Sequence, residues 1–152
     1  MDRTGSHLDP TDRAIIEELQ RDGRVPFTRL GAAVGLSEAA AGQRVQRLID
    51  AGVMQVVAVT NPMSQGKRRM AMIGIATEGP TEEIAELLQA MPDIDYLVVT
   101  AGSFDLMAEA VVDDDQHLLD LTNRIRRVKG VRSTETFIYL DLVKQTFTWG
   151  AH

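Results

Sequence analysis

Three arginines carry the first chemical possibility in this sequence. Arg29, Arg44 and Arg47 lie either side of a Gly35-Leu36-Ser37 step, and a guanidinium presents a planar fork of donors that suits phosphate oxygens. Thr28 adds a hydroxyl beside Arg29. Between two short helices, such a turn lets the second helix aim its leading end into the major groove of duplex DNA. An ordinary three-helix bundle with solvated arginines has the same spacing. A second cluster, Asp113-Asp114-Asp115-Gln116-His117, could bring Asp113 or Asp114 onto one helix face with His117 around a metal ion. Acids in a first helical turn, where they meet the positive end of the helix dipole, account for it more simply. Hard ions also need more converging oxygens than this run supplies, so no metal is expected. A third run, Lys67-Arg68-Arg69, could touch a DNA backbone or simply face water.

What is missing narrows the chemistry further. The chain has no cysteine, which removes disulfides, thiolate nucleophiles and cysteine-ligated zinc. His117 is the one internal histidine, and no P-loop, Gly-x-Gly-x-x-Gly or Gly-x-Ser-x-Gly segment occurs. Neither an enzyme nor a bound cofactor is expected. Lys and Arg number 16 against 22 Asp and Glu, a net charge of −6. Residues 1–60 carry seven basic and eight acidic side chains, and residues 61–152 carry nine and fourteen. Any nucleic-acid contact must therefore come from a local patch in the first half, where Arg21, Arg24, Arg29, Arg44 and Arg47 outnumber Asp22, Glu38 and Asp50. With 44% apolar and 25% charged residues the composition is that of a globular protein. The N-terminal residues lack a signal-peptide stretch and no run is long and apolar enough to span a bilayer, so no membrane partner and a cytoplasmic location are expected.

The elements that must position these residues can be read from punctuation and period. Asp9-Pro10-Thr11-Asp12 starts a helix with a cap, a first-turn proline and an acid. Ile15, Ile16 and Leu19 form its apolar stripe, and Gly23 stops it. A second short helix fits Thr28 to Val34, with Phe27, Leu30, Ala33 and Val34 turned inward. A third, capped by Ser37, runs from about Glu38 to Ala51 with Ala41, Val45, Leu48 and Ile49 inward. Val53, Val56, Val57 and Val59 read as a strand closed by Asn61-Pro62, and Met63–Arg69 as a linker. Phe147 and Trp149, near the end, fit either a subunit contact or a tail.

From Met70 onward a strand–helix–strand pattern appears twice. Strands are predicted over Met70–Thr77, Tyr96–Ala101, Leu106–Val112 and Ser133–Val143, with a tight turn at Gly102-Ser103-Phe104-Asp105. A helix from about Thr81 carries Ile84, Leu87, Leu88 and Met91 at i, i+3, i+4 and i+7. Another, opening at Asp113, carries Leu118, Leu121, Ile125 and Val128 and stops at Gly130. The order βαββαβ is that of the ferredoxin-like, split βαβ fold, with both helices on one sheet face. Both sides of the first strand are apolar, so the second face is expected to be buried by another subunit. The predicted fold class is α+β. A three-helix helix-turn-helix (winged-helix-like) domain spans 1–52, a strand and linker 53–69, and a ferredoxin-like βαββαβ domain 70–152.

Leu8-Asp9, Asp12, Ile15, Leu19-Gln20, Asp22-Gly23-Arg24, Val34-Gly35-Leu36-Ser37, Arg44-Val45, Arg47-Leu48 and Gly52 together resemble the DNA-binding half of the Lrp/AsnC (leucine-responsive, feast–famine) transcriptional regulators. The second half is similar as well. Gly102-Ser103-Phe104-Asp105 resembles that family's Gly-x-(aromatic)-Asp turn, and Gly130-Val131, Thr134, Thr136 and Lys144 fall where its last helix and strand carry similar residues. The resemblance covers about Leu8 to Thr146.

It implies a homodimer, assembled into octamers in some members, that binds double-stranded DNA and an amino acid or related metabolite at an interface between dimers. DNA contact would fall on Thr28, Arg29, Ser37, Glu38, Ala39, Gln43, Arg44 and Arg47. The effector role would fall on Gly102, Ser103, Phe104, Asp105, Thr134 and Thr136, with Asp114 nearby. A glycine turn exposes N–H groups that can take a carboxylate, and Asp105 could accept from an ammonium group; a plain hairpin with Asp105 capping its own backbone uses the same residues. The chain departs from the family at Glu38-Ala39-Ala40-Ala41-Gly42, where proline, threonine and other polar residues are common. Alanine can touch a thymine methyl but makes no bidentate base contact, and Gln43 is the one amide placed for adenine. Weak direct readout is therefore expected, with specificity drawn from DNA bending and linked half-sites. The other reading is a metabolite-binding module that regulates through protein contacts.

Overall fold

The computed structural model describes residues 8–60, 66 and 69–145, arranged as two compact units, one running to Val59 and taking in the chain from Lys144, the other spanning Thr60–Val143. Phe147, Trp149, Lys67 and Arg68 lie outside the described residues.

In the first unit α1 (Pro10–Arg21), α2 (Phe27–Val34) and α3 (Glu38–Asp50) form as their end signals direct. Asp9 caps α1, its side chain accepting from the Asp12 N–H at 2.7 Å with proline behind it in the first turn. Between α2 and α3, Gly35 takes the left-handed conformation (φ 73°) that lets its N–H bond back to the Gly31 carbonyl. Ser37 then accepts from the Ala40 N–H at 3.2 Å and opens α3. Ile15, Leu30, Ala41, Val45 and Leu48 form the core of this unit, with Val34, Leu36 and Ile49 packed against it. Phe27 and Ala33 are exposed rather than inward. For Phe27 the reason is local: it heads α2, and its ring lies over Gly42 of α3 instead of entering the core.

The segment expected as a strand at 53–59 has no regular structure and no ladder partner among the described residues, and Val56, Val57 and Val59 stand exposed. β-branched residues favour a strand only where another strand offers its edge, and none does so here.

In the second unit the order is β1 (Arg69–Thr77), α4 (Thr81–Gln89), β2 (Ile94–Val99), β3 (Leu106–Val112), α5 (Asp115–Arg126), β4 (Val131–Ile138). The sheet runs β2-β3-β1-β4 with every pairing antiparallel, the split βαβ arrangement expected. One face carries Ala71, Ile73 and Ile75 of β1 and alternate residues of β3, all buried beneath Ile84 and Leu88 of α4 and Leu118, Leu121 and Ile125 of α5. Leu87, expected on the inward stripe, is 56% exposed. α5 begins two residues later than its acidic run suggested, because Asp114 is its cap and accepts from the His117 N–H at 2.8 Å. β4 ends at Ile138 rather than Val143; Tyr139 adds one more bond to the Met70 carbonyl, and Leu140 to Val143 are exposed. The other sheet face, with Met70, Met72, Met107, Val111 and Phe137, carries no described helix of this unit.

Candidate nucleic-acid interface and effector turn

The leading end of α3 presents Glu38, Ala39, Gln43 and Gln46 to solvent, while Ala41, Val45 and Leu48 point into the core. Thr28 and Arg29 are exposed on α2. Ser37 is used locally, as the α3 cap. The space between the two helices is set by Gly31: a Cβ there would meet the Leu36 carbonyl oxygen at 2.7 Å. That close approach is what keeps α2 tight against the turn, and its sequence signal is a glycine inside an otherwise helical segment.

Arg44 and Arg47, expected to be free for phosphate, are each bonded to carboxylates at the start of α1, Arg47 through one nitrogen with its side chain still 59% exposed. An Arg44 nitrogen donates to Asp9 Oδ2 at 2.5 Å and to Asp12 Oδ1 at 2.9 Å. An Arg47 nitrogen donates to both Asp12 oxygens, at 2.8 and 2.9 Å. Asp12 is buried, with only 3% of its surface exposed. Arg44, together with the Asp12 N–H, holds the Asp9 carboxyl below the ordinary aspartate range, and the two acids raise the Arg44 guanidinium in turn. Carboxylates 32 and 35 residues away in sequence thus engage donors that spacing alone assigned to phosphate. Arg69 likewise sits at the start of β1 and bonds Asp115, its NH2 to Oδ2 at 3.2 Å.

The turn at 102–105 is braced from within. Thr100 donates through its N–H to the Asp105 carbonyl (2.9 Å) and through Oγ1 to the Phe104 carbonyl (2.6 Å). Asp105 reaches across to β1, its N–H donating to the Ile75 carbonyl and its Oδ2 accepting from the Thr77 N–H at 2.7 Å. It caps neither its own backbone nor an open site; it fastens the turn to the neighbouring strand. The Phe104 ring fills the space above Gly74, where a Cβ would come within 2.5 Å of it, and meets Phe137 edge-on at 6.2 Å. Gly102 and Ser103 are exposed at the tip, with open space around Gly102.

The structure separates the remaining effector candidates from Phe104. Thr134 and Thr136 pair directly with Ile75 and Ile73, so they lie on the helix-covered face. Thr134 Oγ1 accepts from Arg126 Nε of α5 at 2.7 Å on that side. Phe104 and Phe137 share the face of Gly74 and Met72, since Met72 pairs with Phe137. Asp114 is occupied as the α5 cap. His117, beside it, lies 3.0 Å from Asp93 and 3.4 Å from Asp113. Among the described residues no cluster of three or more His, Cys, Asp or Glu is arranged to hold a metal ion, and no helix is long and apolar enough to cross a membrane.

A tight two-helix turn with an outward leading helix, joined to a split βαβ domain, defines a two-part DNA-binding regulator. Residues 8–49 match the AsnC-type helix-turn-helix domain and residues 70–149 the Lrp/AsnC ligand-binding domain. The HTH-type transcriptional regulator FL11 of Pyrococcus furiosus is 33% identical over 141 residues, covering 91% of this chain and 93% of its own. The leucine response regulatory protein LrpA of Mycobacterium tuberculosis superposes with a TM-score of 0.83 at 31% identity, covering 91% of this chain and 96% of its own. A feast or famine regulatory protein from M. tuberculosis, solved in complex with L-methionine, gives a TM-score of 0.83 at 30% identity, with 91% and 95% covered. This chain belongs to the Lrp/AsnC family of transcriptional regulators, which are DNA-binding proteins and not enzymes.

Proposed function

We propose that this regulator works as a homodimer or larger assembly in the cytoplasm, with an amino acid or related small metabolite setting its occupancy of double-stranded DNA. The outward strip on α3 carries the DNA reading. Glu38, Ala39 and Gln43, with Thr28 and Arg29 from α2, stand exposed beyond a turn that Gly31 and Gly35 make tight. Two such helices in a dimer would enter successive major grooves roughly one helical turn apart. Because alanine offers bases only a methyl contact, specificity would come chiefly from DNA deformation and from linking half-sites.

The largely apolar sheet face, which no described helix of its unit covers, and the exposed valines at 56, 57 and 59 support assembly. The exposed Gly102-Ser103 tip supports an effector contact at a junction of copies, with Phe104 and Asp105 holding its shape. The M. tuberculosis relative bound to L-methionine makes that amino acid the first to try. A ligand can alter DNA occupancy only by binding one assembly or arm arrangement better than another.

Thermal-shift measurements across the amino acids and common keto acids, led by L-methionine, test the effector half. A ligand present at 100 times its dissociation constant stabilises by about 2.7 kcal/mol, and no shift with any of them would reject it. For the DNA half, affinity for duplex DNA should fall steeply as salt rises. Binding that ignored salt would favour a module acting through protein contacts.

A further inference from the structure

We propose that Asp12 is a positioning residue for the DNA-reading helix, and that Arg44 and Arg47 serve it rather than phosphate; the inference rests on the DNA-binding reading above. Asp12 lies on α1, buried, and its one carboxylate accepts three bonds from two nitrogens, one on each of two arginines one turn apart on α3. Asp9, one turn earlier, takes a second bond from Arg44. Ile15 of α1 and Val45 and Leu48 of α3 also share the apolar core of this unit. Burial of Ala41, Val45 and Leu48 sets which face of α3 turns inward, but the apolar term is itself non-directional and leaves the finer rotation to directional bonds. Charge-assisted bonds to a single carboxylate are directional, and buried ion pairs are best attested as devices that fix register. Two arginines tied to one buried point therefore fix the rotation of α3. Since Glu38, Ala39 and Gln43 ride on the same helix, Asp12 sets where they aim.

Charge balance leads to the same conclusion. Two guanidinium groups face two carboxylates, so this network offers a phosphate backbone no net charge. Arg44 and Arg47 should then be silent in the salt dependence of binding, although they belong to the recognition helix.

The test uses the full-length protein, fluorescence anisotropy, and a duplex that the wild-type protein selects from a random-sequence pool, alongside a scrambled duplex. Affinities are measured over a range of salt. Arg47→Gln, at a side chain more than half exposed, should lower affinity for the selected duplex yet leave the slope of log affinity against log salt unchanged. A slope smaller by about 0.9, the loss of one phosphate contact, would overturn the proposal. Asp12→Asn frees Arg47 while Asp9 still holds Arg44, so its slope should steepen by up to about 0.9, while discrimination between the two duplexes drops on the order of tenfold, the worth of a mismatched base pair. Unchanged slope and unchanged discrimination in Asp12→Asn would equally reject it. If Asp12→Asn does not fold, Arg47→Gln decides alone. Failure of the wild-type protein to enrich any duplex would instead overturn the DNA-binding reading itself.

Discussion

Two glycines in the effector domain illustrate how much a single Cβ can decide. At Gly102 an added side chain meets open space, whereas at Gly74 it would run into the Phe104 ring. Gly102→Trp should therefore fold normally and abolish any thermal shift produced by the effector. Gly74→Ala should be destabilising by about 1–3 kcal/mol, the usual range for overpacking, because Phe104 must leave its seat and loosen the turn. Denaturation curves of both variants check this; equal stability would mean that Phe104 is not seated on Gly74. Tyr139 supplies a pH signature. Its phenol donates to Glu109 Oε1 at 2.7 Å, and burial, with the bond to Glu109, pushes its pKa up to about 12 from 10.0. The folded protein keeps this proton where the unfolded chain releases it, so the contribution to stability is complete below pH 10 and declines as pH rises toward 12. A spectrophotometric titration of wild-type protein minus Tyr139→Phe should show a phenolate transition near 12. A transition at 10 would place the phenol away from Glu109.

At the scale of elements, the helix-turn-helix depends on its turn more than on helix propensity. α2 spans only eight residues, from Phe27 to Val34, too short to persist alone. It is held by Leu30 in the core, by Gly35 at its end and by the close approach at Gly31. Gly31→Ala should raise helix propensity locally and still lower stability by about 1–3 kcal/mol, because the methyl meets backbone that cannot rotate aside. DNA affinity should fall further than the lost stability explains, since α3 is displaced with the turn. Thermal denaturation and DNA titration on the same variant separate the two effects; a more stable Gly31→Ala would show that propensity outweighs the contact. Similar economy governs the hairpin between β2 and β3. Asp105 bonds β1 through both its N–H and its carboxylate, so the turn's position depends on a strand outside the hairpin.

For the whole molecule, the decisive surface is the uncovered sheet face. Met70, Met72, Met107 and Val111 lie there half-buried, and Phe137 is 43% exposed. Glu109, opposite Met72, and Glu135, opposite Gly74, share this face, which is otherwise apolar, and exposed apolar surface of that extent marks an interaction site. Met72→Glu places a second carboxylate directly opposite Glu109 and should shift the protein toward monomers in size-exclusion chromatography with light scattering. Because linked half-sites gain affinity through effective concentration, DNA affinity should fall by about 100-fold or more even though α3 is untouched. An unchanged mass would locate the assembly surface elsewhere, with the exposed valines at 56–59 the next place to look.

By itself the sequence determined what local rules can reach. Asp9-Pro10, Gly35 and Ser37 set helix ends, and the strand–helix order set the sheet topology, while which of the two apolar sides of β1 the helices cover was left to the structure. Each of these signals acts within a few residues, as hydrogen bonds of caps and turns do. The tertiary structure alone decided where side chains went across the chain. It tied Arg44 and Arg47 to Asp9 and Asp12, turned Thr134 and Thr136 away from Phe104, fastened Asp105 to β1, and left the valine segment without a strand beside it. Those outcomes depend on which charged or apolar group folding brings opposite, and an ion pair spanning 35 residues leaves no mark in local spacing.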